Sequence, residues 1–249
     1  MDVKKSTIKY PKSPAVEVIY HVQTALPQVG DMGEVSRVLT KEMKGFLAPE
    51  PFSLYKQTMG TTGNGPAQFQ VEADQTGFKF TDKAKQHVVH MLRNGLVVNW
   101  LKPYPGYGKC LPKLKGYWKT HERAFQPDQV ERISLRYINQ FDLPLDQKRL
   151  RFRDYLNIGP RMPTSAGVKL RGFHQVLDLY NAEKGIQGRA TLMSLPPQND
   201  KVPIVLDIES SMKPIGPGPA LWTGFDALHE WSHEVFNLSL NDRCRQLFD

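Results

Sequence analysis

Hydrophobic and polar positions alternate most cleanly over residues 130–141, VERISLRYINQF. Ile133, Leu135 and Tyr137 fall on one side of an extended chain, and Arg132, Ser134 and Arg136 on the other. Pro127 and Asp128 make a turn before this stretch, and Leu143 and Pro144 an exit after it. The pattern predicts a strand central to a sheet. Arg136 and Asn139 then become polar groups that need fixed partners, and a carboxylate such as Asp207 is the ordinary partner for Arg136.

The same reading extends along the chain. Residues 1–13 form a solvated arm, and a strand follows over 15–24, with Val16, Val18, Tyr20 and Val22 sharing a face opposite Glu17, Ile19 and His21. Residues 34–47 have helical character. The glycine-rich run 59–66 is a loop. Strand pieces are expected at 68–72 and 77–81, and 87–101 is one long strand or a hairpin bent at Asn94-Gly95. A helix over 111–125 gathers Leu111, Leu114, Trp118 and Phe125 on one face, with His121 among them. Residues 148–156 read as a short basic helix, and 168–180, 188–195 and 202–209 as strands. The last long helix takes Thr223 as its N-cap, with Asp226 three residues on. Phe225, Leu228, Ser232, Val235 and Ser239 follow its period, and a short helix covers 242–248.

Strands followed by a helix thus occur twice, over 68–125 and 168–240. This order predicts an α+β fold of mainly antiparallel sheets with helices packed on one face. Two diverged sheet-plus-helix halves, 1–141 and 142–249, would pack intimately together.

The chain has 249 residues, 40% hydrophobic and 10% aromatic, which excludes a disordered protein. A formal charge of +8 and a pI near 9.4 favour anionic partners, either nucleic acid or an acidic protein face. Cys110 and Cys244 lie far apart with no C-x-x-C spacing, so a reducing compartment is expected and no cysteine-based zinc site. Neither a signal-peptide core nor an eighteen-residue apolar run is present. The expectation is a soluble cytoplasmic protein with no membrane partner.

Several stretches together resemble a sporadically distributed, uncharacterised family of prokaryotic proteins of similar length. They are PAVEV from Pro14, VVHM from Val88, LKPY ending at Tyr104, Trp118, RISLRYIN from Arg132, VLDI from Val205, and a late helix with Leu228, His229 and Phe236. Tyr107 stands where that pattern has a tryptophan. The resemblance implies a bacterial cytoplasmic protein and supplies no catalytic residue. Its sporadic distribution suggests mobile gene sets of the defence or toxin–antitoxin kind, in which this chain would be an antitoxin or accessory partner.

Two motifs invite chemistry. His229-Glu-Trp-Ser-His233 is an H-E-x-x-H, whose spacing on a helix allows two imidazoles to chelate zinc with Glu230 as general base. Downstream only Asp242 and Asp249 could complete the site. Upstream, Asp207 and Glu209, which share a strand face, or Asp178 on another strand could. A histidine hydrogen-bonded where helix meets sheet accounts for His229 without a metal.

The second motif is a basic, aromatic stretch over 82–123. It includes Lys102, Tyr104, Tyr107, Lys109, Lys113, Lys115 and Lys119, with a further cluster containing Arg149 and Arg151. Such a surface can neutralise phosphates and stack bases, although its tryptophans would serve equally as core. The loop at 60–65 lacks the Gly-Lys-Ser/Thr ending of a phosphate-binding loop. The reading favoured is a non-enzymatic protein without cofactor that binds a partner protein. Nucleic-acid binding and zinc-dependent hydrolysis are the alternatives.

Overall fold

A computed structural model describes residues 10–26, 31–60, 68–145, 151–160, 170–214, 216 and 218–249. The basic arm at 1–9, most of the glycine-rich loop, Arg149 and the start of the strand expected from 168 lie outside the described residues.

Nine strands form one sheet: β1 (Ala15–Thr24), β2 (Glu50–Gly60), β3 (Gln68–Thr81), β4 (His87–Leu92), β5 (Gly95–Leu101), β6 (Val130–Pro144), β7 (His174–Asn181), β8 (Ile186–Ser194) and β9 (Lys201–Met212). Their order is β2-β3-β4-β5-β1-β6-β9-β8-β7. The registers of β2 with β3, β3 with β4, β6 with β9, β9 with β8 and β8 with β7 are antiparallel. The bonds flanking β1 run the same way: on the β5 side Thr24 N–H donates to the Asn94 carbonyl and Lys102 N–H to Val16, and on the β6 side Ala25 N–H donates to Gln129 and Gln140 N–H to Pro14. With its helices α1 (Met32–Glu42), α2 (Tyr107–Phe125), α3 (Pro219–Ser239) and α4 (Asp242–Arg245), the fold is α+β.

The strand order contains a repeat. Starting from β1, the next strands are β5, β4 and β3; starting from β6, they are β9, β8 and β7. Each set is a lone strand, an antiparallel meander and a helix after it; the first meander has four strands, β2 to β5, and the second three, β7 to β9. β6 opens the second set, and the turn at 126–129 divides them.

The chain also divides into two compact units assembled from separate stretches. One comprises Met1–Tyr20, Trp100–Tyr107 and Arg132–Asp249, the other His21–Asn99 and Gly108–Glu131. The consecutive halves expected at 1–141 and 142–249 do not coincide with these units, because β1, β5 and β6 each run through both.

In the second unit, α2 presents Cys110, Leu114, Trp118, His121 and Phe125 as its buried face. Phe78, Phe80, Val89, Met91, Leu96 and Val98 are buried on β3, β4 and β5. Residues 87–101 adopt the hairpin alternative. The two pieces expected at 68–72 and 77–81 are one strand, since extended pairing with β2 continues through Asp74 and Gln75.

In the first unit, β6 continues to Pro144, which stands opposite Lys201, so pairing outlasts the proline. Its alternation is as predicted. Ile133, Leu135, Asn139, Phe141 and Leu143 are buried on one side, opposite Met212, Ser210, Leu206, Ile204 and Val202 of β9. α3 covers this side: the Ser210 and Ser232 hydroxyls are 2.8 Å apart, and Trp231 lies against Gly188 of β8.

Two terminal assignments differ from expectation. α3 begins four residues before Thr223, at Pro219, with Gly218 as N-cap at φ 65°; Thr223 Oγ1 donates to the Pro219 carbonyl inside the helix. Proline at the first helical position, with its fixed φ and missing N–H, outweighs the Thr-x-x-Asp signal. The helix expected at 148–156 is, among the described residues, a single 3-10 turn at Phe152–Asp154.

Candidate functional site

Register and alternation sort the first unit's strands into two faces. The covered face carries the apolar residues above. The opposite, outer face has a row of charges in which each residue stands directly opposite the next: Arg136 on β6, Glu209 on β9, Arg189 on β8 and Asp178 on β7. Arg189 Nε donates to Asp178 Oδ1 at 2.9 Å, and Arg132 reaches Glu209 at 3.4 Å. Arg136 grips Asp207 with two nitrogens, at 2.9 and 2.5 Å. That fork, before any other influence, holds the Arg136 guanidinium above its ordinary pKa. The prediction that Asp207 partners Arg136 therefore holds. Asn139 also finds a fixed partner, its amide donating to the Leu206 carbonyl at 3.1 Å.

Towards the β7 side, Arg132, Gln187, Arg189, His174, Val176, Asp178 and Tyr180 are all exposed. A groove of about 510 Å³ opens here, lined by Arg132, Asp178, Gln187, Arg189, Glu209 and Ser211 among others. Three arginines and three carboxylates make this face electrically balanced. Sequence reasoning considered Asp178, Asp207 and Glu209 as metal ligands but missed Arg132, Arg189 and Gln187. The signal was present in the hairpin turn: a register centred on Glu183 and Lys184 places Arg189 against Asp178.

The H-E-x-x-H residues lie on α3, on the covered side. His229 Nδ1 is 2.8 Å from the Tyr137 hydroxyl, and its ring stacks on Tyr107 with centroids 4.0 Å apart. Tyr107 in turn donates its O–H to Asp226 at 2.7 Å. Burial, and then the neighbouring His233, lower the His229 pKa to about 4; burial and the Asp226 bond raise that of Tyr107. His233 Nδ1 accepts from the Asn237 amide at 3.3 Å, and Tyr10 O–H donates to the other end of that amide. This contact ties the His233 ring to α3 one turn further on.

Glu230 is exposed and 3.5 Å from Lys184. Asp207 lies on the far side of the sheet, so the structure does not bring it to the two histidines. Among the described residues, no group of three or more His, Cys, Asp or Glu could hold a metal.

Of the basic, aromatic stretch, Lys109, Lys113 and Lys119 are exposed along α2, Lys115 is half-buried, and Lys102 and Arg151 are exposed elsewhere. The aromatic residues face inward. Trp100 and Trp118 are core, Tyr104 lies 2.9 Å from the Tyr20 hydroxyl, and Tyr117 packs against Phe46 and His87. Among the described helices, none is long and apolar enough to cross a membrane.

No protein-family model matches the chain, and no curated protein matches it at a significant level.

Proposed function

We propose that this chain is a non-catalytic binding protein whose partner is another protein, docked on the outer face of β6, β9, β8 and β7. The observation that supports this reading is the charge-balanced row Arg136–Glu209–Arg189–Asp178, half-buried at Arg136 and Glu209 and exposed at Arg189 and Asp178, with its groove on one side of a sheet whose other side is packed by α3. A face with equal numbers of cations and anions does not attract polyphosphate. It does match a protein surface carrying complementary alternation, where fixed charges set register and exclude wrong partners. The His229 and His233 rings bond to neighbouring side chains in a manner that suits scaffolding. The resemblance to a sporadically distributed family belongs to this proposal, and it points to a partner encoded beside the chain.

Co-expression with the adjacent gene products tests the reading by size-exclusion chromatography with light scattering. A stoichiometric complex should form and should weaken at least tenfold in Arg189→Glu. Replacing Lys109 and Lys113 with Glu on α2 should leave it intact. Isolation of the chain alone, or a complex lost only through the α2 substitutions, would contradict the proposal. The second of these outcomes would favour an anionic partner such as nucleic acid.

A further inference from the structure

The two ends of the sheet differ in how they are guarded. β2, at one end, carries Pro51 and a register shift between Phe52 and Ser53. These are common devices that stop an edge from pairing with other chains. β7, at the other end, has none of them. It pairs with β8 through eight consecutive residue pairs without a shift, and contains neither proline nor lysine. Its outer-face side chains are all exposed, Val176 at 46% and Tyr180 at 67%.

The charge row meets this edge on an anion. Crossing from β6 to β7 the signs run plus, minus, plus, minus, ending on Asp178. One further strand would set a residue directly opposite Asp178, and a cation there continues the alternation. Val176 and Tyr180, two positions to either side on the same face, would meet apolar residues. Two β7 strands paired antiparallel about Asp178 would oppose carboxylate to carboxylate, so the row disfavours a second copy of this chain in that register.

We infer that β7 is an acceptor edge for an extended segment of the partner protein, selecting a strand with arginine or lysine opposite Asp178 and apolar residues two positions to each side. Backbone hydrogen bonds supply the affinity and the Asp178 row supplies the selection. This inference rests on the protein-binding reading and adds the chemistry of the segment bound.

The test uses the full chain and fluorescein-labelled peptides of sequence TVTRTVT and TVTETVT, with a TVTRTVT backbone-methylated on the edge facing β7 as a control. By anisotropy, the arginine peptide should bind at least tenfold tighter than the glutamate peptide, and methylation should abolish binding. Asp178→Lys should reverse the preference, and Asp178→Asn should flatten it. Both substitutions fall at one exposed position, and folding of each variant is checked by thermal melting. Amide exchange should slow along β7 when the arginine peptide binds.

Equal binding of the two peptides, a preference unchanged in Asp178→Lys, or dimerisation of the chain through β7 would overturn the inference. A native complex that forms normally but ignores Asp178→Lys would also overturn it while leaving the protein-binding reading standing. Absence of any native complex would count against that reading instead.

Discussion

His121 shows how burial sets chemistry at a single residue. It is fully buried in α2, with Nε2 2.8 Å from the Leu92 carbonyl, and burial lowers its pKa from 6.5 to about 4. The folded chain therefore keeps it neutral where the unfolded chain protonates it. Its contribution is complete above pH 6.5, falls as the pH drops, and is lost by about pH 4. At pH 5 this single site should cost about 2 kcal/mol relative to pH 7.5. Urea unfolding at the two pH values checks this: burial also holds His87 and His229 at about 4, so His121→Gln should shrink the pH difference by about 2 kcal/mol and leave the remainder.

The Arg136–Asp207 fork makes a second residue-scale prediction. Asp207 is the more buried member, with a side chain 15% exposed against 41% for Arg136. Arg136→Ala strands that carboxylate and should cost about 1–3 kcal/mol. Asp207→Asn in the same background should recover part of the loss, which a double-mutant cycle by chemical denaturation would measure. Both the pair and the embedded His229 were legible in the sequence, since an arginine and a histidine interrupting apolar periodicity each demand a partner. The identity of His229's partners, Tyr137 and Tyr107, was not, because they come from a strand and a helix start remote in sequence.

At the scale of elements, packing of α3 on β8 depends on one missing side chain. A Cβ at Gly188 would lie 2.1 Å from the Trp231 ring. Gly188→Ala should therefore destabilise by about 1–3 kcal/mol through overpacking. Trp231→Leu should cost less in the Gly188→Ala background than alone, and thermal unfolding of the four variants checks both statements. The helical period of Phe225, Leu228 and Ser232 was plain from sequence, and all three are buried. The start of α3 was misplaced because a proline and a positive-φ glycine act at the true boundary. The outer-face row was illegible until registers were known, since no two consecutive members of it lie on the same strand.

For the whole molecule, the alternation of β6 led correctly to an interior strand and an α+β fold. Strands followed by a helix occur twice along the chain, over β2 to α2 and β7 to α3. Whether β6 closes the first set or opens the second depends on which strands it pairs with, and pairing over such separations leaves no local trace. The basic charge of +8 pointed to an anionic partner, whereas the first unit's exposed outer face is balanced and its edge ends on Asp178. Global charge and the charge of one face are separate quantities, and recognition depends on the latter.

The proposed docking on the outer face of β6 to β9 is checked by hydrogen–deuterium exchange of the chain, free and mixed with any product of the adjacent genes that binds it. Exchange should slow mainly in β7 and β8. Protection confined to α2, with β7 and β8 unchanged, would contradict it.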